Sequence, residues 1–586
     1  MSPDSQSRLP VCPLREVLNA CSFAQKPDLD ALDTSGLTNI QWRADRCSRS
    51  SLLCFQRFDD GRSDTEIIER YLLHSEFSAL VINRPLDATQ DQDARWAGAS
   101  GPDAPRPDRL LQVGSGRTGS RQTGALQTEQ LIGRPVFVTA PGAWSETLER
   151  LCDHFYPVRP AHWRIAGVTG TNGKTTTVKY LESILLAAGC RVLGIGTLGL
   201  TLNGQSLAET GFTSPPYIEL RRILNDCRAQ ADTLVMEVSS HALHQGRVHG
   251  LRFAAAAWTN FSQDHLDYHG DEARYFAAKA MILEQLAEGV PLLTTSAEVE
   301  HRLRTERGPE VPVMRIAPPS LPAESTIGAP SDGAKSASLT ANIDPVSSGD
   351  RTNNEPTSAV DFTKATNSTP SQAPELSAEA LRASPFLALS YNRANYALAC
   401  ALATRLLGAE PPATWRALQP VPGRFDCYVY QQRTLVIDFA HTPDALENIL
   451  GAIRAAFPGA GVLTLFGCGG DRDRAKRPLM GATVCRGSDQ VILTSDNPRF
   501  EEPQAIADDV LAGMHACSTA PTVILDRVKA ITALFDRLAE RPSHEPWVAV
   551  IAGKGHEPYI DQNGFKRPYS DREQVLQNLR RLGWLG

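Results

Sequence analysis

Residues 167–176 read Gly-Val-Thr-Gly-Thr-Asn-Gly-Lys-Thr-Thr. They lie between an apolar run, Trp163 to Val168, and a segment, Thr175 to Ala188, that places Val178, Leu181, Leu185 and Ala188 on one face. The pattern predicts a strand, a glycine-rich loop and a helix, with Gly189 suited to the helix C-cap. In that context the backbone N–H groups of the loop and the helix N-terminus can cradle a phosphate, Lys174 can reach the terminal phosphates, and Thr175 can ligate magnesium. The general pattern puts glycine five residues before Gly173; here that position is Val168, and glycines stand at 167 and 170 instead. A further apolar run, Val192 to Ile195, follows the helix, so the order is β-loop-α-β and the sheet is expected to be largely parallel.

Around this loop, composition excludes several classes. The chain has 586 residues, 42% hydrophobic and 21% charged, with a formal net charge of −7. Such figures describe a globular chain and not a disordered or fibrous one. The mild acidic excess argues against nucleic acid as a partner, so phosphate binding must be local. No run of about 18 apolar residues occurs, hence no membrane span is expected. The first residues, Met1 to Pro13, have an acid and prolines where a secretory signal has a basic patch and an apolar run. Twelve cysteines are scattered from Cys12 to Cys517 without a CxxC pair. We therefore expect a reduced, cytoplasmic setting.

Two stretches lack the hydrophobic periodicity of a folded core: about 87–127, and about 317–380, where Ser, Thr, Pro, Ala and Asn dominate. Both read as insertions. After about Phe425 a strand-helix alternation resumes. The expected strands are Leu435 to Asp438, Val462 to Phe466, Val491 to Ser495, Thr522 to Leu525 and Val548 to Ile551. Thr442-Pro443-Asp444 has the form of an N-cap, a first-turn proline and a first-turn acid. Four of these strands end in DFAHTPD, FGCGGDRDR, TSDNPR and AGKGHE. Ligands of doubly wound sheets bind at that edge, so the polar text there marks a site.

Within the central part, Thr233 to Met236 reads as a buried strand ending in Glu237, a carboxylate placed for magnesium near the phosphate loop. Another run ends in Trp258-Thr-Asn-Phe-Ser-Gln-Asp-His-Leu-Asp-Tyr-His-Gly270. Its two acids and two histidines after Gln263 could form a zinc cluster. Hard oxygen ligands beside a phosphate loop favour magnesium.

Taken together, GTNGKTTT, EVSSHAL, TNFSQDHLDYHG, the AAKAMIL run around Lys279, YNRAN, VPGRF and DFAHTPDAL resemble, in order, the ATP-dependent Mur ligases of bacterial peptidoglycan synthesis. The resemblance covers roughly 135–586 apart from the second insertion. It implies an α/β fold of three domains: a nucleotide-substrate domain over 1–160, a central P-loop ATPase-like parallel sheet over 161–425, and a C-terminal Rossmann-like doubly wound sheet over 426–586. The branch most like this chain is the one that adds meso-diaminopimelate to UDP-MurNAc-L-Ala-D-Glu, so the implied activity is ATP-dependent amide ligation through an acyl phosphate. The implied ATP contacts are Gly170, Thr171, Asn172, Gly173, Lys174, Thr175, Thr176, Asn392, Asn395, Asp438 and His441. Magnesium falls to Thr175, Glu237, His265 and Lys279, the last as a carbamate, and the catalytic set is Lys174, Lys279 and His265. Asp444 is expected to help close the third domain over ATP, with VPGRF as the hinge.

For the amino acid, the resemblance implies Arg472, Asp496, Asn497, Pro498, Arg499, Gly553 and Glu557. An arginine can pair with the second carboxylate that lysine lacks, and Glu557 can meet the distal ammonium. For the UDP-MurNAc dipeptide it implies Ser48, Thr213, Ser214, Ser239, Gln245 and Arg247. Two departures stand out: Ser214 replaces a threonine of the family's TTP turn, and Cys47-Ser48-Arg49 lacks the acid of its DSR-type motif, although Asp60-Gly61 resembles the DG that follows. The partners are then small molecules, and a monomer is expected. Two other outcomes stay open: a folylpolyglutamate- or cyanophycin-type ligase acting on a different carboxylate, against which DNPR and GKGHE speak, and an inactive binding protein, against which Lys174, Glu237, His265 and Lys279 speak.

Overall fold

The computed structural model describes residues 135–320 and 421–584 throughout, 374–377, 379–380 and most of 384–418, and, toward the N-terminus, 14–26, 39–43, 46–48, 50–56 and 77–83 with a few single positions. The first expected insertion, all of the second but its two ends, and Asp60-Gly61 lie outside the described residues.

The chain packs as two compact units. One holds residues 1–163, 215–230 and 245–251; the other holds 164–214, 231–244 and 252–586. In the first unit, strands Phe23–Gln25 (β1), Asn39–Gln41 (β2), Ser51–Phe55 (β3), Ala79–Ile82 (β4) and Val136–Thr139 (β5) form a sheet of order β1-β5-β4-β3-β2. Only β1 runs antiparallel to its neighbour. β3, β4 and β5 are apolar and almost wholly buried, as strands of a parallel sheet covered by helices must be. Helices Trp144–Phe155 and Tyr217–Cys227 supply Leu148, Leu151, Tyr217 and Ile218 to that core.

The second unit contains two large sheets. Strands Arg164–Thr169 (β6), Val192–Gly196 (β7), Gly199–Leu202 (β8), Gln205–Ala208 (β9), Thr233–Glu237 (β10), Phe253–Trp258 (β11), Leu292–Thr294 (β12) and Val313–Arg315 (β13) take the order β13-β12-β11-β6-β10-β7-β8-β9. The loop helix spans Lys174–Ala187, and Gly189 has the positive φ its C-terminus needs. β8 and β9 form an antiparallel meander that the periodicity did not indicate, since β9 is fully exposed and carries no apolar alternation.

The second sheet consists of Asp426–Tyr430 (β14), Arg433–Asp438 (β15), Gly461–Phe466 (β16), Gln490–Leu493 (β17), Thr522–Val523 (β18) and Trp547–Ala552 (β19), in the order β14-β15-β19-β16-β17-β18. Tyr559–Gln562 (β20) and Phe565–Pro568 (β21) make a separate hairpin. The five expected strands all form. β17 ends at Leu493, two residues short of expectation; the Thr494 N–H completes its ladder on Phe466 O, and the Ser495 N–H bonds Leu525 O beyond it. β18 stops at Val523, with the Ile524 N–H making the last bond of its ladder to Leu493 O. Thr442 caps helix Pro443–Ala456, its Oγ1 accepting from Ala445 N at 3.2 Å.

Cys485 and Cys517 are joined by a disulfide. This departs from the expectation of uniformly reduced thiols: a pair 32 residues apart leaves no local spacing to read. Among the described residues no helix is long and apolar enough to cross a membrane.

Candidate active site

Sheet order decides which loops meet. β6 lies between β11 and β10, with Glu237 level with Val168 and Trp258 level with Thr169. The strand-end carboxylate and the TNFSQDH segment therefore leave their strands on either side of the phosphate loop. Thr259 and Asn260 then clamp it. Asn172 N–H donates to Asn260 Oδ1 (2.9 Å), Thr171 N–H to Asn260 O (3.1 Å), and Thr259 Oγ1 and Asn260 Nδ2 donate to Asn172 O. Gly170 has φ +142°, and a Cβ there would collide with Thr259 Oγ1. Gly173 is left-handed, and a Cβ there would strike Asn395 Oδ1. Both glycines are therefore required by the close approach.

Lys174 Nζ donates to the carbonyls of Gly170 (2.9 Å) and Thr171 (2.8 Å), and Thr175 Oγ1 donates to Glu237 Oε1 (2.9 Å). Glu237 also accepts from Thr197 N–H (2.7 Å) and Thr197 Oγ1 (3.2 Å). Thr176 is buried at the start of the helix. Lys279, 1% exposed, donates to the same Gly170 carbonyl at 2.8 Å and lies over the Tyr275 ring. Burial pushes its ammonium well below the ordinary lysine value; nearby Lys174 adds to this, and Asp264 opposes it. Burial likewise lowers Lys174, against Glu237 and Asp264. Tyr275 hydroxyl reaches Thr171 Oγ1 at 3.3 Å.

His265 stands in left-handed backbone at φ 54°, beside Asp264 and edge-on to His241. Its side chain is 44% exposed, and the loss of water on its protein-facing side lowers its pKa, with Asp264 opposing. Among the described residues no three His, Cys, Asp or Glu side chains converge on one point. The oxygen donors beside the phosphate loop, the Thr175 hydroxyl and the Glu237 carboxylate, suit magnesium, which keeps waters and substrate phosphates as its other ligands.

Asn395 Oδ1 accepts from Thr177 Oγ1 (3.3 Å) behind the loop, whereas Asn392 Nδ2 donates to Phe386 O (3.0 Å). Asp444 bridges the two sheets of this unit: its Oδ2 accepts from Asn172 Nδ2 (2.9 Å) and Ser262 Oγ (3.2 Å). Asp438 is raised by burial, against Arg424, and accepts from the N–H groups of Phe425 and Ala440. His441 is lowered, chiefly by burial, and its Nδ1 meets Phe439 O. Arg424, read in the sequence only as part of a hinge, is half-buried over the Phe439 ring, with its Nε buried and lacking a hydrogen-bond partner.

The other cluster sits beyond β16, β17 and β19. Arg499, again left-handed at φ 51°, donates from Nη1 to Gly470 O (2.6 Å), and its backbone pairs with Asp561 and Asn563. Arg499 Nη1 and Arg472 Cγ both border the face of Gly469, and Arg472 is exposed. Asn497 Nδ2 donates to Glu557 Oε2 at 2.8 Å. A Cβ at Gly553 would lie 2.7 Å from Asp496 Oδ2. Pro498 is buried beneath Gly470. DNPR and GKGHE thus meet at one edge of the sheet. Arg527 fixes both strand ends from behind: it pairs with buried Asp571 (2.7 Å) and donates to Ala552 O (2.9 Å) and Ser495 O (3.4 Å).

Ser214 Oγ donates to Glu237 O (2.9 Å), Ser239 Oγ accepts from Ala242 N–H, and Thr213 Oγ1 meets Thr197 Oγ1 (3.2 Å). These three belong to the second unit. Gln245 and Arg247, hydrogen-bonded to each other, belong to the first, as does Ser48, which is exposed beside Ser50 and Ser51. The sequence reading passed over Thr259, Asn260, Arg424 and Lys554. Position beside the phosphate loop and the strand-end glycines was their only signal. His265, Phe425, Asp471 and Arg499 are four of the seven non-glycine residues with positive φ among those described, and such backbone gathers at functional loops.

Comparison with known proteins matches residues 168–316 to the Mur ligase middle domain and 423–555 to the Mur ligase glutamate ligase domain. The chain is 37% identical over 428 residues to a UDP-N-acetylmuramoyl-L-alanyl-D-glutamate–2,6-diaminopimelate ligase of Solibacter usitatus, covering 72% of this chain and 78% of that one. It is 35% identical over 468 residues to the ligase of the same name from Aquifex aeolicus, covering 79% and 87%. A solved structure carrying that ligase name aligns over 93% of this chain and 95% of its own at 22% identity and a TM-score of 0.45.

Proposed function

The chain belongs to the Mur ligase family, and from that premise we propose that it joins meso-diaminopimelate to the D-glutamate side chain of UDP-MurNAc-L-Ala-D-Glu, using ATP, in peptidoglycan precursor synthesis. The observation that carries the choice of amino acid is the pairing of Asn497 with Glu557 beside Arg499. It gathers a carboxylate, an amide and a guanidinium at one sheet edge. A second zwitterionic centre needs both charges; lysine offers only the ammonium. Relatives that share 35–37% identity bear the diaminopimelate name.

A carboxylate is a poor electrophile, so the γ-phosphoryl group first passes from ATP to a carboxylate oxygen of D-glutamate, and ADP leaves. The free amine then attacks the acyl carbon: the C–N bond forms, the C–O bond to phosphate breaks, and the amine proton is lost. In our reading the N–H groups of residues 170–176 hold the phosphates, and Lys174 trades its two loop carbonyls for phosphate oxygens. Asn392, Asn395, Asp438 and His441 flank the nucleotide. Thr175, Glu237, His265 and a carbamate on Lys279 would hold magnesium, which supplies charge neutralisation between phosphates. A buried lysine with a lowered pKa is the kind of neutral amine that can add carbon dioxide. Ser48, Thr213, Ser214, Ser239, Gln245 and Arg247 take the UDP-MurNAc dipeptide.

We assign 1–160 to the nucleotide-sugar domain, 161–425 to the ATP domain and 426–586 to the amino-acid domain, in a cytoplasmic monomer. Purified protein with ATP, magnesium and the UDP-MurNAc dipeptide is expected to release phosphate with meso-diaminopimelate and scarcely with L-lysine. Equal turnover of the two amines overturns the Arg499 argument.

A further inference from the structure

Lys554 lies between Gly553 and Glu557 where GKGHE meets DNPR, and its side chain is 0% exposed. Its ammonium donates to Asn497 Oδ1 (2.8 Å) and Glu557 Oε2 (3.0 Å) and lies 3.6 Å from Asp496 Oδ1. Asn497 Oδ1 accepts a second bond from Asp561 N–H at 2.9 Å. An ammonium and a backbone N–H can only donate, so together they fix which end of the Asn497 amide is oxygen. The amide nitrogen must then face Glu557, where it donates to the same Oε2 that Lys554 holds. Two donors on Oε2 orient the carboxylate, which is 23% exposed, and leave Oε1 without a partner among the described residues.

We propose that Lys554 is a positioning residue for amino-acid selection: it locks Asn497 and one oxygen of Glu557 so that the other oxygen is presented to the distal ammonium of the incoming amino acid. The inference rests on the diaminopimelate reading above. The charges agree with it. Lys554 offsets one of the two carboxylates it faces, Asp496 and Glu557, and leaves the other for a cation. Asp561, whose Oδ1 is buried without a hydrogen-bond partner, adds to the negative potential. Arg499, on the neighbouring loop, is left to the distal carboxylate. A buried ammonium needs polar partners in any role; what is particular to Lys554 is that its partners are Asn497 and Glu557, whose Oε1 it leaves free.

The test pairs a variant with a truncated ligand. L-2-aminopimelate keeps the distal carboxylate of diaminopimelate and lacks its distal ammonium. In Lys554→Met, KM for meso-diaminopimelate is expected to rise about 10- to 100-fold, the range for losing a charge-assisted hydrogen-bond network, with KM for ATP unchanged. The inhibition constant of L-2-aminopimelate against meso-diaminopimelate should move less than about threefold, because the contact that Lys554 prepares is already absent from that ligand. Parallel weakening of both ligands, or unchanged use of diaminopimelate, overturns the proposal. Should Lys554→Met not fold by circular dichroism, Lys554→Gln, which keeps a donor and loses the charge, must give the same split at smaller amplitude. If the unaltered protein releases no phosphate with meso-diaminopimelate, the ligase reading itself falls and this one with it; a split failure in an active enzyme removes only the role of Lys554.

Discussion

The phosphate loop and the amino-acid pocket occupy equivalent places, each at the C-terminal edge of a mostly parallel sheet, but they are made of different atoms. The loop is shaped by backbone: two glycines permit close approach, and Thr259 and Asn260 hold its carbonyls and N–H groups. The pocket is shaped by side chains drawn from segments some 60 residues apart, Asn497 against Glu557 and Lys554. Phosphate is an invariant anion that backbone donors serve well. An amino acid must be told from its analogues, and only side chains vary enough to do so. This division predicts where a substitution is felt as lost fold, lost chemistry or lost selectivity.

The largest effect is expected behind the pocket. Arg527 and Asp571 are fully buried and paired, and Arg527 also ties down the carbonyls that precede Gly553 and Asp496. Arg527→Met strands a buried carboxylate, so denaturant unfolding should show a loss of about 3–5 kcal/mol. A loss under about 1 kcal/mol would mean the strand ends are held by the sheet alone. Next comes the loop. Lys279→Ala should lower kcat by roughly 10²–10³ with the melting temperature little changed, and short carboxylates added to the assay should restore part of it. Full activity would return Lys279 to an ordinary buried lysine on Gly170 O. Arg499→Met should reduce the preference for meso-diaminopimelate over L-lysine by at least about tenfold, the value of one charge-assisted hydrogen bond, while ATP use is kept. A variant that loses both substrates equally would show that Arg499, with its left-handed backbone, shapes the loop and not the choice.

The same division explains what the sequence made legible. Backbone sites announce themselves locally: glycine spacing, a strand before and a helix after located the phosphate loop to within a residue of its observed limits. The Thr442 cap and the parallel strands were readable for the same reason. Lys554 was not, because its meaning depends on Asn497, 57 positions away and brought close by the placing of β19 beside β16, itself paired with β17. Arg424 passed as hinge text because nothing local signals that its guanidinium lies over Phe439. β9 escaped because an edge strand exposed to water keeps no apolar period, and β8 and the half-buried β14 are too short to show one.

The smallest effect is the one that tests whether the two regions act separately. Asn172 belongs to the loop by its backbone, which donates to Asn260, and reaches the other sheet by its side chain, which donates to Asp444. Asp444 keeps a second donor, Ser262. Asn172→Ala therefore removes one hydrogen bond to a carboxylate but leaves that carboxylate with Ser262 as a donor, so the loss falls below the roughly 1.5–3 kcal/mol of a charged hydrogen bond, at about 0.5–1.5 kcal/mol. KM for ATP should rise roughly 2- to 10-fold, since RT ln of that factor spans the same range. The ratio of kcat/KM for meso-diaminopimelate over L-lysine should stay within about twofold, because Asn172 touches none of Asn497, Arg499, Lys554 or Glu557. A changed ratio would mean that the Asp444 contact transmits the state of the phosphate loop to the amino-acid pocket, and the separation of backbone and side-chain recognition would then describe two ends of one coupled site.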